Sequence, residues 1–205
     1  MKLYEMAIAP NPRRVRMFLA EKGLLDGVER VELDLGKGEN LTPDFAAKNP
    51  LKKVPVLELD NGTCISETTA ICRYFEVLHP ESQNLFGESP EEVATIEQWS
   101  RWLDFYLFSP IGNAFQHTTD FFKHKMTLIR EWGEVNVVAA REFLKFLDSH
   151  LAGKDFIVYD RLTHADIVAF CSIDFAKVVK IRVDDSLPNL QTWYKAMKSR
   201  PSANV

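Results

Sequence analysis

Two stretches of this sequence place backbone breaks and polar residues where a small polar ligand could bind. In Asn49-Pro50-Leu51-Lys52-Lys53-Val54-Pro55-Val56-Leu57, a proline opens a short apolar run. A residue that cannot donate to a sheet belongs at the start or edge of a strand. If the Val54–Pro55 bond is cis, the Val54 N–H and C=O turn outward, ready to pair with an extended peptide. Beyond a tight Asn61-Gly62 turn, Ser66-Glu67-Thr68 starts a helical pattern. The first N–H groups of a helix lack internal partners and attract a carboxylate. A peptide-pairing edge beside such a helix start predicts a small acidic peptide as ligand. Near the N-terminus, Asn11-Pro12 reads as another helix start, with asparagine as cap and proline as first helical residue.

The elements that must hold these residues follow from periodicity. Leu3–Ile8 is a short strand pattern, broken by Ala9-Pro10-Asn11-Pro12. Arg13–Gly23 reads as a helix with Val15, Phe18 and Leu19 on its apolar face and Gly23 as C-terminal cap. Val28–Leu33 is a second strand, so the start is a right-handed βαβ unit. A polar loop from Gly36 to Asn40 leads to a short helix opened by Thr42-Pro43-Asp44. The central stretch then reads as a hairpin with a two-residue Asn-Gly turn, followed by a helix from Glu67 to about His79. The order β-α-β, α-β-β-α, with a proline opening the third strand, is that of an α/β thioredoxin-like domain over residues 1–80.

A polar, proline-marked linker over 81–89 precedes a domain, 90–205, in which every long segment has helical period. Glu91 to about Phe108 carries Trp99, Trp102 and Tyr106 on one face, Lys125–Leu151 is a second long helix, and Pro188-Asn189-Leu190 starts the last one. Thr163-His164-Ala165-Asp166 is a capping box that starts a buried helix through Val179.

The 205 residues carry a net charge of -4, with 46% hydrophobic and 26% charged residues. That describes a soluble globular protein and argues against nucleic acid or an anionic membrane as partner. The start has no long apolar run and no later run would cross a bilayer, so a cytoplasmic protein is expected. Cys64, Cys72 and Cys171 form no Cys-x-x-Cys motif, and the five histidines show no metal or triad spacing. No metal is expected.

Four motifs in this order resemble the cytosolic glutathione S-transferase superfamily over nearly the whole chain. Asn49–Pro55 looks like its cis-proline segment in the theta-like form, with Lys52 where many other classes have glycine. Glu67-Thr68-Thr69-Ala70-Ile71 looks like the family's Glu-Ser-x-Ala-Ile. Thr163–Ile167 matches the second domain's capping box, and Pro188–Leu190 with Arg200-Pro201-Ser202 matches the usual ending. The resemblance implies a thioredoxin-like domain followed by an all-α domain, glutathione as co-substrate, and conjugation of its thiolate to a hydrophobic electrophile. It implies that the Val54 backbone, held by Pro55, pairs with the cysteinyl unit. Glu67 would take the γ-glutamyl ammonium, Thr68 the adjacent carboxylate, and Asn40 with Lys53 the glycyl carboxylate.

Thiol activation is the departure. Lowering a thiol pKa from about 8.5 to roughly 6.5 takes about 2.7 kcal/mol of thiolate stabilisation. Alignment puts the family's catalytic serine at Ala9, which has no donor, and no Ser, Thr or Cys occurs before residue 42. Tyr4 reads as core. Asn11 is the best substitute: its NH₂ can donate to a sulfur at the positive end of the helix. Ala-Pro-Asn-Pro also resembles bacterial Nu-class proteins, which act as glutathione-dependent disulfide reductases. Trp99 and Trp102 read as core. Tyr106 and Phe115, with Ala9, are expected in the electrophile pocket. A homodimer is implied, with Asp104 offered by each subunit to its partner's site. Two alternatives stay open, a glutathione-dependent disulfide or peroxide reductase and a non-catalytic binding module of the same fold.

Overall fold

The computed structural model describes residues 1–205, and the chain divides into two units: Met1–Asn84 with Pro201–Val205, and Leu85–Arg200. In the first, β1 (Lys2–Glu5) pairs in parallel with β2 (Glu29–Glu32) and antiparallel with β3 (Val56–Glu58), which pairs antiparallel with β4 (Cys64–Ser66). The sheet order is β2-β1-β3-β4. Alternation along β1 buries Leu3 and Glu5 on one face and leaves Lys2 exposed and Tyr4 half-buried on the other. Tyr4 is therefore not core. Its hydroxyl donates to Glu58 Oε2 at 2.6 Å, and Lys48, 2.8 Å from the same carboxylate, sits over its ring.

Helix α1 runs Pro10–Glu21, three residues earlier than periodicity predicts. The prolines at its first and third positions read as breaks in the sequence. Here they are harmless, because the N–H groups of a first turn have no acceptor inside the helix. The helix ends at Gly23, whose φ of 70° lets the Leu24 N–H reach the Leu19 C=O at 2.8 Å. Thr42 caps α2 (Pro43–Lys48) by accepting the Phe45 N–H. The hairpin loop has three residues rather than two: Leu59 N–H bonds Thr63 C=O and Gly62, at φ 84°, closes back on Leu59. A type I turn followed by a left-handed glycine gives that pattern. Helix α3 covers Thr68–Leu78. Buried Lys22 ties α1 to it, donating to Glu76 and to the Gln83 C=O. The returning segment 201–205 lies along α1: Arg13 donates to the Ala203 C=O at 2.7 Å and the Ser202 hydroxyl bonds Glu21.

The second unit is helical. Ser89 caps α4 (Pro90–Trp102), which continues through a π-helical turn at Leu103–Phe108 into α5 (Ser109–Thr118) with helical backbone throughout. The wider turn shifts the phase of the apolar stripe. Trp99 is buried as expected, Trp102 only half so, and Tyr106 is 58% exposed. Helix α6 (Arg130–His150) packs on α5 at Gly133, where a Cβ would lie 2.6 Å from Thr118 Cγ2. Helix α7 (His164–Phe175) is buried from His164 to Ile173, and α8 (Pro188–Lys198) lies against it. Asp166 closes the capping box with Thr163 and also accepts the Ile157 N–H at 2.9 Å and the Trp193 indole N–H at 3.2 Å. Burial pushes its carboxyl up to about 6, against the pull of these four donors.

Candidate functional site

Sheet topology gathers the chemistry of the first unit. Tyr4 pairs with Val56 and Val56 with Ser66, so one row of the sheet crosses β1, β3 and β4. Beyond that row, at the same end of the sheet, lie the exit of β1 toward Ala9 and Asn11, the entry to β3 at Val54–Pro55, and the exit of β4 at Glu67–Thr68.

The Val54–Pro55 bond is cis, and neither the Val54 N–H nor its C=O has a partner inside the chain. Buried Asn49 shapes the loop before it, donating to the Lys53 C=O at 2.8 Å and accepting the Leu51 N–H at 3.0 Å. Asn40, expected at the ligand's glycyl end, donates to the Lys52 C=O at 2.7 Å, so one of its two amide hydrogens already braces this loop. The Lys53 side chain is exposed and unpaired. Lys52 has a φ of 55°, the left-handed region, which explains why glycine serves there in other classes. A side chain in that region costs about 1–2 kcal/mol. Lys52→Gly is expected to stabilise the protein by about 0.5–1 kcal/mol after the flexibility of glycine in the unfolded chain is discounted; a thermal melt checks this.

At α3, Glu67 occupies the cap position with φ 73° and ψ 125°, a conformation side chains rarely adopt, and makes no capping bond. Its carboxylate is exposed and unpaired. The first intrahelical acceptance is Ile71 N–H to Glu67 C=O at 3.0 Å, so the N–H groups of Thr68, Thr69 and Ala70 point out of the helix start without acceptors. The Thr68 hydroxyl, in a residue 7% exposed, has no partner either. Periodicity shows the helix start; it carries no sign of the unusual Glu67 backbone.

At α1 the structure corrects the reading of Asn11 as cap. The cap is Ala9, whose N–H closes a turn on the Met6 C=O at 2.9 Å and which has no side-chain acceptor to offer. Asn11 is the second helical residue, and its half-buried amide makes no bond inside the chain. Arg13 N–H bonds Ala9 C=O at 3.3 Å, and Pro10 and Pro12 have no N–H. The Asn11 backbone N–H is thus the one donor of this first turn free for a ligand. The Tyr4 hydroxyl is committed to Glu58, a bond that also holds its pKa up. Cys64 is pushed up by burial, and Cys72 and Cys171 are buried.

In the second unit the two expected pocket aromatics lie apart. Tyr106 lines an apolar cavity of about 380 Å³ with Trp102, Pro110, Ala139, Phe143 and Phe146. Phe115 sits instead in a cluster with Phe121, Phe122 and Phe175, ring centroids 5.3–5.5 Å away. Asp104 is half-buried in the π-helical turn. No three His, Cys, Asp or Glu side chains converge as metal ligands would, and no helix is long and apolar enough to cross a membrane.

Comparison with known proteins agrees with this arrangement over both units. The model of the glutathione S-transferase N-terminal domain matches residues 8–78, and that of the C-terminal domain matches residues 134–201. The chain is 36% identical over 204 residues to glutathione S-transferase 2 of Saccharomyces cerevisiae, covering 98% of this chain and 87% of that protein. The crystal structure of Gtt2 from the same yeast superposes with a TM-score of 0.94, at 35% identity, over 100% of this chain and 99% of that one. A class Gtt2 glutathione S-transferase of Vibrio parahaemolyticus superposes with a TM-score of 0.85, at 36% identity over 98% and 95% of the two chains. A thioredoxin-like sheet with a cis-proline opening its third strand, a helical second unit and matches across nearly the full length all lead to one assignment: this chain belongs to the glutathione S-transferase family.

Proposed function

We propose that this chain is a working glutathione transferase that binds glutathione at the sheet end described above and passes its thiolate to a hydrophobic electrophile. The observation that carries this is the set of unused groups there: the Val54 N–H and C=O, the Glu67 carboxylate, the Thr68 hydroxyl and three helix-start N–H groups. Each matches one part of a γ-glutamyl tripeptide. Val54 pairs with the cysteinyl backbone, Glu67 holds the ammonium, and Thr68 at the start of α3 holds the neighbouring carboxylate. Lys53 and the remaining Asn40 hydrogen hold the glycyl carboxylate. An exposed carboxylate kept at φ 73° fits a ligand role, since backbone strain collects at functional sites.

Asn11 takes over the task of the missing hydroxyl. Its N–H and Nδ2 donate to the sulfur at the positive end of α1, which favours thiolate over thiol. The thiol proton passes to solvent. The sulfur lone pair then forms a bond to the electrophilic carbon as the leaving group departs with its electron pair, or as an added proton completes a conjugate addition. The enzyme acts as a homodimer in the cytoplasm, with a role in detoxification, and Asp104 of each subunit faces its partner's site. The free Asn11 amide and the absent hydroxyl favour a second reading, reduction of small disulfides, which a direct assay of disulfide turnover against conjugation separates.

Titration of the thiol absorbance of bound glutathione tests the proposal. The wild-type thiol is expected near 6.5, against about 8.5 free, and Asn11→Ala is expected to return it upward by about one unit, or roughly 1.4 kcal/mol. Tight binding with an unshifted thiol would instead describe a glutathione-binding module.

A further inference from the structure

Beneath the turn that carries the chain from β1 into α1 lie two buried charges. Glu5 and Arg16 are each 2% exposed and form an ion pair through Oε2 and Nη1. Stripping two charges of water is unfavourable, and apolar residues of similar volume often serve stability as well or better. What apolar residues cannot do is grip a backbone. The Arg16 guanidinium is a planar fork, and its Nη2 donates to the Ala7 C=O at 2.7 Å. From the other side, the Ala7 N–H donates to both carboxylate oxygens of Glu32, at 2.9 and 3.0 Å. The Glu5 C=O accepts the Leu33 N–H at 2.7 Å, and its second carboxylate oxygen lies 4.0 Å from Arg30. Charged groups from the second turn of α1 and from the end of β2 thus hold Ala7 at both its donor and its acceptor. Two residues later the turn closes, Ala9 N–H on Met6 C=O, and the chain enters α1.

We propose that Arg16, backed by Glu5 and opposed by Glu32, is the positioning group of the thiol-activating helix start: it fixes the Met6–Ala9 turn, and through it the aim of the Asn11 N–H and amide. The inference rests on the glutathione reading of this site. Arg16 is too buried to touch glutathione, and besides Glu5 and the turn its Nη2 reaches the Val205 C=O, at 3.5 Å. Thiolate stabilisation by one or two donors depends on geometry within about half an ångström, so a loosened turn lowers activation before it lowers binding. Binding contacts at Val54, Glu67 and Thr68 belong to other elements.

The test titrates bound glutathione and measures kcat, KM and melting temperature for wild type, Arg16→Lys, the double variant Glu5→Leu/Arg16→Leu, Glu32→Ala and Glu32→Gln. Lysine keeps a charge for Glu5 but loses the fork. Arg16→Lys and the double variant are expected to raise the bound thiol pKa by about one unit, which lowers the thiolate fraction at pH 6.5 about fivefold and kcat with it. KM for glutathione should stay within about twofold, and the double variant should melt within a few degrees of wild type. Glu32 is exposed, so its variants fold whatever the buried pair does. Glu32→Ala should move the thiol in the same direction, and Glu32→Gln, which returns an acceptor oxygen to the Ala7 N–H, should recover most of the loss. An unmoved thiol pKa in the folded double variant and in Glu32→Ala would overturn the proposal. So would losses that follow melting temperature and KM alike. Failure of wild type to bind glutathione would overturn the reading of the site itself, and this inference with it.

Discussion

Asp166→Ala is expected to lower the unfolding free energy by about 3–5 kcal/mol, the largest stability effect of any single substitution considered for this chain. The carboxylate accepts from the Ile157 N–H, from the N–H and hydroxyl of Thr163 and from the Trp193 indole. Those donors come from the loop before α7, from its cap and from α8. Alanine would leave all four buried without an acceptor and without water to replace it. For a chain of this size the melting temperature should fall by about 8 °C or more.

The same group carries a pH dependence of definite sign. Its folded pKa is raised to about 6 by burial, above the ordinary value near 3.9. Its contribution to stability is therefore full below about pH 4 and is lost as pH rises through about 6. The deficit of Asp166→Ala should accordingly be greater at pH 5 than at pH 7.5 in urea titrations. A deficit under about 1 kcal/mol at both values would show that the orphaned donors find other partners.

At Glu67, stability and binding are expected to move in opposite directions. Glu67→Gln keeps the shape of the side chain but removes the charge that would meet an ammonium. A charge-assisted bond contributes about 1.5–3 kcal/mol, so glutathione affinity should fall about 10- to 100-fold with the melting temperature unchanged. Glu67→Gly removes the carboxylate and also the strain of a side chain at φ 73°. It should abolish the same binding while raising stability by roughly 1 kcal/mol, and no cap is lost because Glu67 makes no capping bond. Calorimetric titration beside thermal melts reads both effects. An unaltered Kd in Glu67→Gln would remove Glu67 from the ligand site.

Much of this was legible in the residues, and what escaped has physical causes. The βαβ start, the hairpin, the Thr163 capping box and the helical second unit follow from side-chain periodicity and turn chemistry, which sequence states directly. The start of α1 did not, because Pro10 and Pro12 look like breaks until one counts which N–H groups a first turn leaves idle. Asn61-Gly62 announced a turn, but the loop also takes in Asp60 before them. The π-helical turn at Leu103–Phe108 has no residue signature, so the spacing of Trp99, Trp102 and Tyr106 overstated how far they share a face. For the candidate site, Val54, Pro55, Glu67 and Thr68 were legible as types in a pattern. The backbone angles of Lys52 and Glu67 and the grip on Ala7 depend on tertiary contacts that no local spacing encodes.

The return of residues 201–205 to α1 has a consequence for the order in which the protein is made. The N-terminal unit is not complete in the first 84 residues, since Arg13 and Glu21 find partners in Ala203 and Ser202. At a translation rate of about 5–20 residues per second, the remaining 120 or so residues take roughly 6–24 s to emerge from the ribosome. For that interval α1 is made but uncovered along one flank. Residues 201–205 therefore finish the flank of a helix begun some 190 residues earlier.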